Sequence, residues 1–134
     1  MTKDEMKTTF WNAFNSSLPF PERRLAENQL IKLVITLQKQ NLSLLIEILK
    51  EVTKQAVDVL KSIPYNEIKE SKYITNRNLI GYAVCFLSDY ANKNQEYRDE
   101  IYNHLIEIYK DEIFKFDYCE AWEYINNAIK AIKR

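Results

Sequence analysis

Apolar residues recur along most of this chain at intervals of three and four, the spacing that places side chains on one face of an α-helix. The densest apolar stretch is residues 79–90, LIGYAVCFLSDY, which is apolar around most of a helical circumference. A helix of that kind is normally buried. The pattern therefore predicts that this segment belongs to a central helix around which the others pack.

A row of small residues, Gly81, Cys85 and Ser88, follows one side of the predicted central helix. Such a row lets a second helix approach closely, which is a packing reason for a glycine that costs about 1 kcal/mol in a helix interior. Cys85 and Cys119 are far apart in the sequence and belong to no CxxC or Cys/His pattern. We expect both to be free, buried thiols, with Cys85 an inert part of the core.

Three helices are predicted before the central one. Thr2 and Glu5 have the spacing of a capping box at the start of the first helix. Pro21 suits the first residue of the second helix, and Pro64 ends the third. The candidate caps of the third helix are Asn41 and Ser43.

The segment 64–76 has weak periodicity and room for one short helical turn, after which Thr75 or Asn76 is expected to cap the central helix. A fifth helix follows, and its apolar stripe is wide enough to contact two neighbours. Asp117 and Glu120 have the capping spacing that marks the start of a sixth helix.

These elements predict an all-α fold, either a six-helix bundle or stacked antiparallel helical hairpins, in a single domain of residues 1–134. One glycine and three prolines leave little material for the many tight turns of an all-β protein. Residues 22–60, where ERRLAENQLIKL is followed by LLIEILKEVTKQAVDVL, resemble a helical hairpin of the HEAT type. That resemblance implies stacked hairpins, and both arrangements stay open.

No catalytic motif is found in the sequence. A single glycine excludes a GxGxxG loop, a P-loop and a GxSxG elbow. The best set of metal ligands lies on one predicted helical face and consists of Glu100, His104, Glu107 and Asp111. A metal-dependent hydrolase that uses this face is one functional hypothesis. Because metal sites in helical bundles draw ligands from several helices, we expect a solvated face, no cofactor and no enzymatic activity.

Lysine plus arginine and aspartate plus glutamate each number 19, so the chain is formally neutral. No basic run exceeds two residues, whereas duplex binding needs a patch that neutralises several phosphates, and a nucleic-acid partner is therefore not expected. No apolar run reaches the ~18 residues that a bilayer span requires, and the N-terminus is unlike a signal peptide. We expect a cytoplasmic protein that does not associate with membranes.

The charges are unevenly distributed along the chain. Residues 89–123 hold ten acidic and four basic residues, a net charge of −6, and all nine tyrosines lie between Tyr65 and Tyr124. Tyrosine is enriched at interfaces, and clustered carboxylates steer association with basic partners. The candidate partner-binding residues are Tyr97, Asp99, Glu100, Glu107, Asp111, Glu112, Tyr65 and Tyr73. The alternative interpretation is an ordinary solvated surface with tyrosines at the edge of the core.

A small helical protein with no catalytic motif and an acidic, tyrosine-bearing flank is similar to the immunity proteins that neutralise toxic nucleases inside bacteria. The resemblance implies inhibition by occlusion, in which carboxylates pair with the lysines and arginines of a basic toxin domain and tyrosines fill the rim of its cleft. The second hypothesis is a helical scaffold or assembly subunit that binds peptides or copies of itself, a homodimer included. Its motivation is the broad apolar surface of the fifth helix.

Overall fold

The computed structural model describes residues 1–67, 69–110 and 120–133. Within these ranges the chain forms six α-helices and no strand, which confirms the all-α prediction. A single 3-10 turn at Tyr65–Glu67 lies where one short turn is predicted. The helices are α1 (Lys3–Phe14), α2 (Phe20–Gln40), α3 (Leu42–Lys61), α4 (Ser71–Lys93), α5 (Gln95–Tyr109) and α6 (Glu120–Ala131).

Two of the predicted caps are formed. The Thr2 hydroxyl accepts a hydrogen bond from the Glu5 amide at 3.1 Å, and the Glu5 carboxylate accepts one from the Thr2 amide at 3.4 Å, which completes the capping box. Asn41 ends α2 and begins α3, and its side chain accepts a hydrogen bond from the Leu44 amide at 3.2 Å. The cap expected at Asp117 lies outside the described residues.

The helix α4 begins at Ser71, so the prediction that Thr75 or Asn76 caps it is wrong. Both residues are buried inside the helix. The side-chain amide of Asn76 donates from Nδ2 to the Lys72 carbonyl at 2.6 Å, and the Thr75 hydroxyl accepts from the backbone amide of Ser16 at 3.1 Å. The Thr75 side chain therefore serves a contact with the α1–α2 connection rather than a helix start, whereas the side-chain bond of Asn76 stays within α4.

The helix α4 is the centre of the fold, as the sequence predicts. It packs against α1, α3, α5 and α6, and Leu79, Ala83 and Leu87 on it are fully buried. One continuous cluster of buried apolar side chains includes residues from all six helices. The hydrophobic core is therefore built around the segment that the apolar pattern identifies.

The small-residue row of α4 is where α6 comes close. A Cβ atom placed on Gly81 would lie 3.0 Å from Cδ2 of Tyr124, so the glycine makes room for that ring. Cys85, however, is exposed, and the prediction of a buried core thiol at this position is wrong. It lines a groove of about 250 Å³ between α4 and α6, because Tyr124 of α6 covers the row at Gly81 and leaves the next turn open.

Three helices, α1, α3 and α5, run in the same direction in one layer. Ion pairs join neighbouring helices of this layer, and residue numbers rise together on both sides of each junction. The pairs are Lys3 with Glu47 (2.8 Å), Lys7 with Glu51 (3.2 Å) and Lys50 with Glu100 (2.8 Å). Lys54, one turn beyond Lys50, lies close enough to act on His104, one turn beyond Glu100.

The other three helices, α2, α4 and α6, also run in a common direction. The neighbouring pairs that show this are Arg23 with Asn78, Gln38 with Tyr90, Gly81 with Tyr124, and Asn92 with Ala131. Hairpins α1–α2, α3–α4 and α5–α6 are thus stacked side by side around the shared core. The segment 22–60, similar to a HEAT hairpin, comprises most of α2 and α3, which pack on each other.

The described helices also account for the width of the apolar stripe on α5. Ile101, Leu105 and Ile108 are buried, and α5 packs on α3, α4 and α6. The stripe that motivates the scaffold hypothesis is therefore used inside the fold. Among the described residues, no helix combines the length and apolar character needed to cross a membrane.

Candidate functional site

Four carboxylates form an exposed row on α5, which we call the acidic stripe and define as Glu96, Asp99, Glu100 and Glu107. The row faces outward because the apolar residues of α5 occupy the opposite face and are buried by α3, α4 and α6. Three of the predicted partner-binding residues are in the stripe. Glu96 is missing from the prediction, although its spacing of four from Glu100 places it on the same helical face.

One cation neutralises part of the stripe. The Lys50 ammonium donates to the Glu100 carboxylate at 2.8 Å, and both side chains are partly exposed. An exposed pair of this kind contributes about 0–1 kcal/mol to stability. In the part of the chain that the structure describes, Glu96, Asp99 and Glu107 have no salt bridge. Three carboxylates of the stripe are therefore available to an external cation.

The predicted tyrosines are placed differently from the carboxylates. Tyr97 is half-buried against the core at the edge of the stripe. Tyr73 is 3% exposed and lies in α4, so its expected role in an accessible loop is wrong. It is buried because α4 starts before it and turns its ring toward the core. Tyr65 lies in the 3-10 turn, and Asp111 and Glu112 lie outside the described residues.

Of the remaining described tyrosines, Tyr90 is buried in the core, and the partly buried ones that pack against it are Tyr82, Tyr102, Tyr109 and Tyr124. Tyr82 packs against Phe14 and Phe86 with ring centroids 5.1 and 4.7 Å away. Tyr90 donates a hydrogen bond from its hydroxyl to Gln38 at 2.9 Å. Burial raises the pKa of both Tyr82 and Tyr90 to about 12. The accessible chemistry of this half of the molecule is consequently that of carboxylates more than of phenols.

His104 lies beside the acidic stripe and is half-buried. Burial lowers the pKa of the imidazole to about 4, and the nearby Lys50 and Lys54 act in the same direction against Glu107 and Glu100. Its Nε2 atom is buried with no hydrogen-bond partner among the described residues. The imidazole is therefore neutral near pH 7 and adds no charge to the surface.

The metal hypothesis rests on Glu100, His104, Glu107 and Asp111. Across the described ranges, no three His, Cys, Asp or Glu side chains are grouped so that they could hold a metal ion. Glu100 pairs with Lys50, and Asp111 lies outside the described residues. The described part of this face is consequently a mixed-charge surface rather than a cluster of converging ligands.

Comparisons with protein-family models, with curated proteins and with solved structures found no match. No relative therefore assigns a role to any residue of the acidic stripe. Function is inferred from the physical chemistry of the exposed surfaces.

Proposed function

We propose that the protein is a non-enzymatic binding module that docks its acidic stripe on a basic surface of a partner protein. The supporting observation is that four carboxylates are exposed together on one rigid helix and three have no salt bridge in the described part of the chain. The class of partner that suits such a surface best is a nuclease-like toxin domain, whose cleft carries lysines and arginines for phosphate groups. The protein would then act as an immunity protein that occludes this cleft.

The stripe suits recognition by long-range electrostatics. Exposed carboxylates are well hydrated in the free protein. They therefore contribute mainly by accelerating association and by favouring partners with a positively charged surface. Steering of this kind raises association rates by about 10- to 1000-fold at low ionic strength, and salt removes the gain. Because α5 is fixed on three sides by α3, α4 and α6, the carboxylates are held in register without ordering a loop.

The test is affinity capture from the native cell with the wild-type chain and a triple variant, Glu96→Lys, Asp99→Lys and Glu107→Lys. A matched control, Glu22→Lys, Asp58→Lys and Glu67→Lys, changes the net charge equally at exposed carboxylates elsewhere. We expect the stripe variant to lose the partner and the control to retain it. With the purified partner, stopped-flow association should slow by at least about tenfold in the stripe variant and in high salt.

Two results would contradict different parts of the proposal. A stripe variant that captures the partner as well as the wild type would show that α5 is not the docking surface. A captured partner whose nuclease activity is unchanged by excess protein would contradict the immunity role while leaving the docking surface intact. Light scattering tests the scaffold hypothesis separately, since a strictly monomeric chain would count against self-assembly.

A further inference from the structure

The helix α2 exposes four large apolar side chains on the side that faces away from the core. Phe20 is 76% exposed, Leu25 60%, Ile31 54% and Ile35 49%. The opposite face of α2 is already supplied with core residues, because Ala26, Leu30, Val34 and Leu37 are buried there. The helix thus has apolar residues on both sides. Apolar periodicity in the sequence identifies only the side that is buried. An exposed cluster of this kind on a small protein commonly marks an interaction site.

Three exposed cations, Arg24, Lys32 and Lys39, lie among these apolar side chains. At 3.6 residues per turn, the four apolar and three basic positions fall within less than half of the helical circumference. We call these seven residues the α2 face. Glu22 and Glu27, the two carboxylates of α2, lie outside this arc, and Glu27 is directed to Arg23 at 3.7 Å. From Phe20 to Lys39 the face is about 28 Å long.

This composition disfavours a second copy of the chain as the occupant. A symmetric contact between two α2 faces would bring six cations together without a carboxylate from either face. The acidic stripe cannot serve instead, since it has no exposed large apolar side chain in the described residues. The occupant that complements the face must therefore offer both apolar surface and negative charge.

We propose that the α2 face is a docking surface for an anionic lipid bilayer, with α2 lying along the membrane interface. A bilayer interface supplies acyl chains for the four apolar residues and phosphate groups for the three cations, whose alkyl stems reach past the apolar layer. It accommodates a convex face of this length, whereas a protein partner would need a matching acidic groove. Contact in the interface needs no spanning segment, so the expectation of no membrane association does not extend to this mode.

The fold is compatible with this contact in place. The core face of α2 stays packed while the outer face binds, so the bundle need not open. The acidic stripe belongs to the third hairpin and to the other layer of helices, away from the α2 face. Membrane contact and partner capture can therefore occur on separate surfaces of one molecule.

The test is co-sedimentation of the full chain with phosphatidylcholine vesicles that do or do not contain phosphatidylglycerol. We expect binding to the anionic vesicles only, weakened by salt. Each basic residue near an anionic surface contributes roughly fivefold, so Arg24→Gln, Lys32→Gln and Lys39→Gln together should weaken binding on the order of a hundredfold. The variant Phe20→Gln, Ile31→Gln and Ile35→Gln should lose binding while keeping its thermal midpoint, because all three side chains are exposed.

A control with Lys54→Gln, Lys69→Gln and Lys130→Gln has the same net charge as the basic-residue variant and should bind the anionic vesicles like the wild type. Three outcomes would overturn the proposal. Equal binding to both vesicle types would remove the role of the cations, and binding to neither would exclude a bilayer as the occupant. A lipid-free dimer in sedimentation velocity that the apolar variant converts to monomer would assign it to a second copy.

Discussion

At the scale of single residues, Gly81 shows how one missing side chain fixes the distance between two helices. Its added Cβ would lie 3.0 and 3.1 Å from Cδ2 and Cε2 of Tyr124. Alanine would gain about 1 kcal/mol in helix propensity and lose part of that gain to crowding. We expect Gly81→Ala to stabilise the protein by about 1 kcal/mol only when Tyr124 is also changed to alanine. Urea denaturation of the two single variants and the double variant measures this.

One result would contradict the close-packing role of Gly81. If Gly81→Ala raises the free energy of unfolding by the same amount with and without the Tyr124 ring, the glycine does not serve close packing. A larger residue provides a second check, because Gly81→Val should destabilise the native protein by about 1–3 kcal/mol through overpacking against α6.

His104, the only histidine, gives the molecule a defined response to acid. Burial lowers the pKa of its imidazole to about 4, whereas an unfolded chain keeps the ordinary value of 6.5. Between these values the unfolded state binds a proton that the native state does not, so the free energy of unfolding falls as the pH falls from 6.5 to 4. Above pH 6.5 both states are neutral and the effect is absent.

The comparison that isolates this effect uses His104→Gln, which cannot titrate. We expect the wild type to lose stability relative to His104→Gln between pH 6.5 and 4, as measured by denaturant unfolding at several pH values. An NMR titration that places the imidazole pKa at or above 6.5 would contradict the burial of this ring.

At the scale of helices, the connection between α2 and α3 is a single residue, Asn41. Asn41 ends one helix and caps the next with a hydrogen bond to the Leu44 amide. We expect Asn41→Ala to lower the free energy of unfolding by about 0.5–2 kcal/mol, because the cap bond is lost. Asn41→Asp should retain most of the stability, since a carboxylate can accept the same bond. Equal losses in the two variants would show that capping is not the role of this side chain.

Helix prediction succeeded where local signals decide and failed where a distant contact decides. The capping box of Thr2 and Glu5 and the cap at Asn41 are local, so their residues could be named from the sequence. The start of α4 could not, because Thr75 bonds to Ser16, which is 59 positions earlier. Thr75 has a side chain of the type that caps helices, but it forms a tertiary contact instead.

At the scale of the whole molecule, two surfaces of opposite character are held apart by the stacking of hairpins. The α2 face is apolar and basic and belongs to the first hairpin, while the acidic stripe belongs to the third. The chain is neutral overall, but its positive and negative charges are concentrated on different surfaces. The proposed membrane contact and the proposed partner contact are separable, since variants on one surface leave the other unchanged.

The candidate site was predictable in part, because the spacing of residues along one helix is a local property of the sequence. Asp99, Glu100 and Glu107 share a helical face by spacing alone, and the buried apolar face of α5 turns them outward. Tyr73 could not be excluded from sequence, because its burial follows from where α4 begins. The α2 face could not be identified from the sequence, because its apolar residues lie off the side of the helix that packs on the core. Their significance depends on whether a neighbouring helix covers them.

The sequence alone determined the class of fold, the existence of six helices, the central position of residues 79–90 and the acidity of the segment that follows. These properties depend on apolar periodicity, caps and charge, which are local or additive along the chain. The tertiary structure decided that Cys85 is exposed, that Tyr73 is buried and that one face of α2 is left open. Exposure depends on which neighbour covers a residue, and that is settled by how the helices stack.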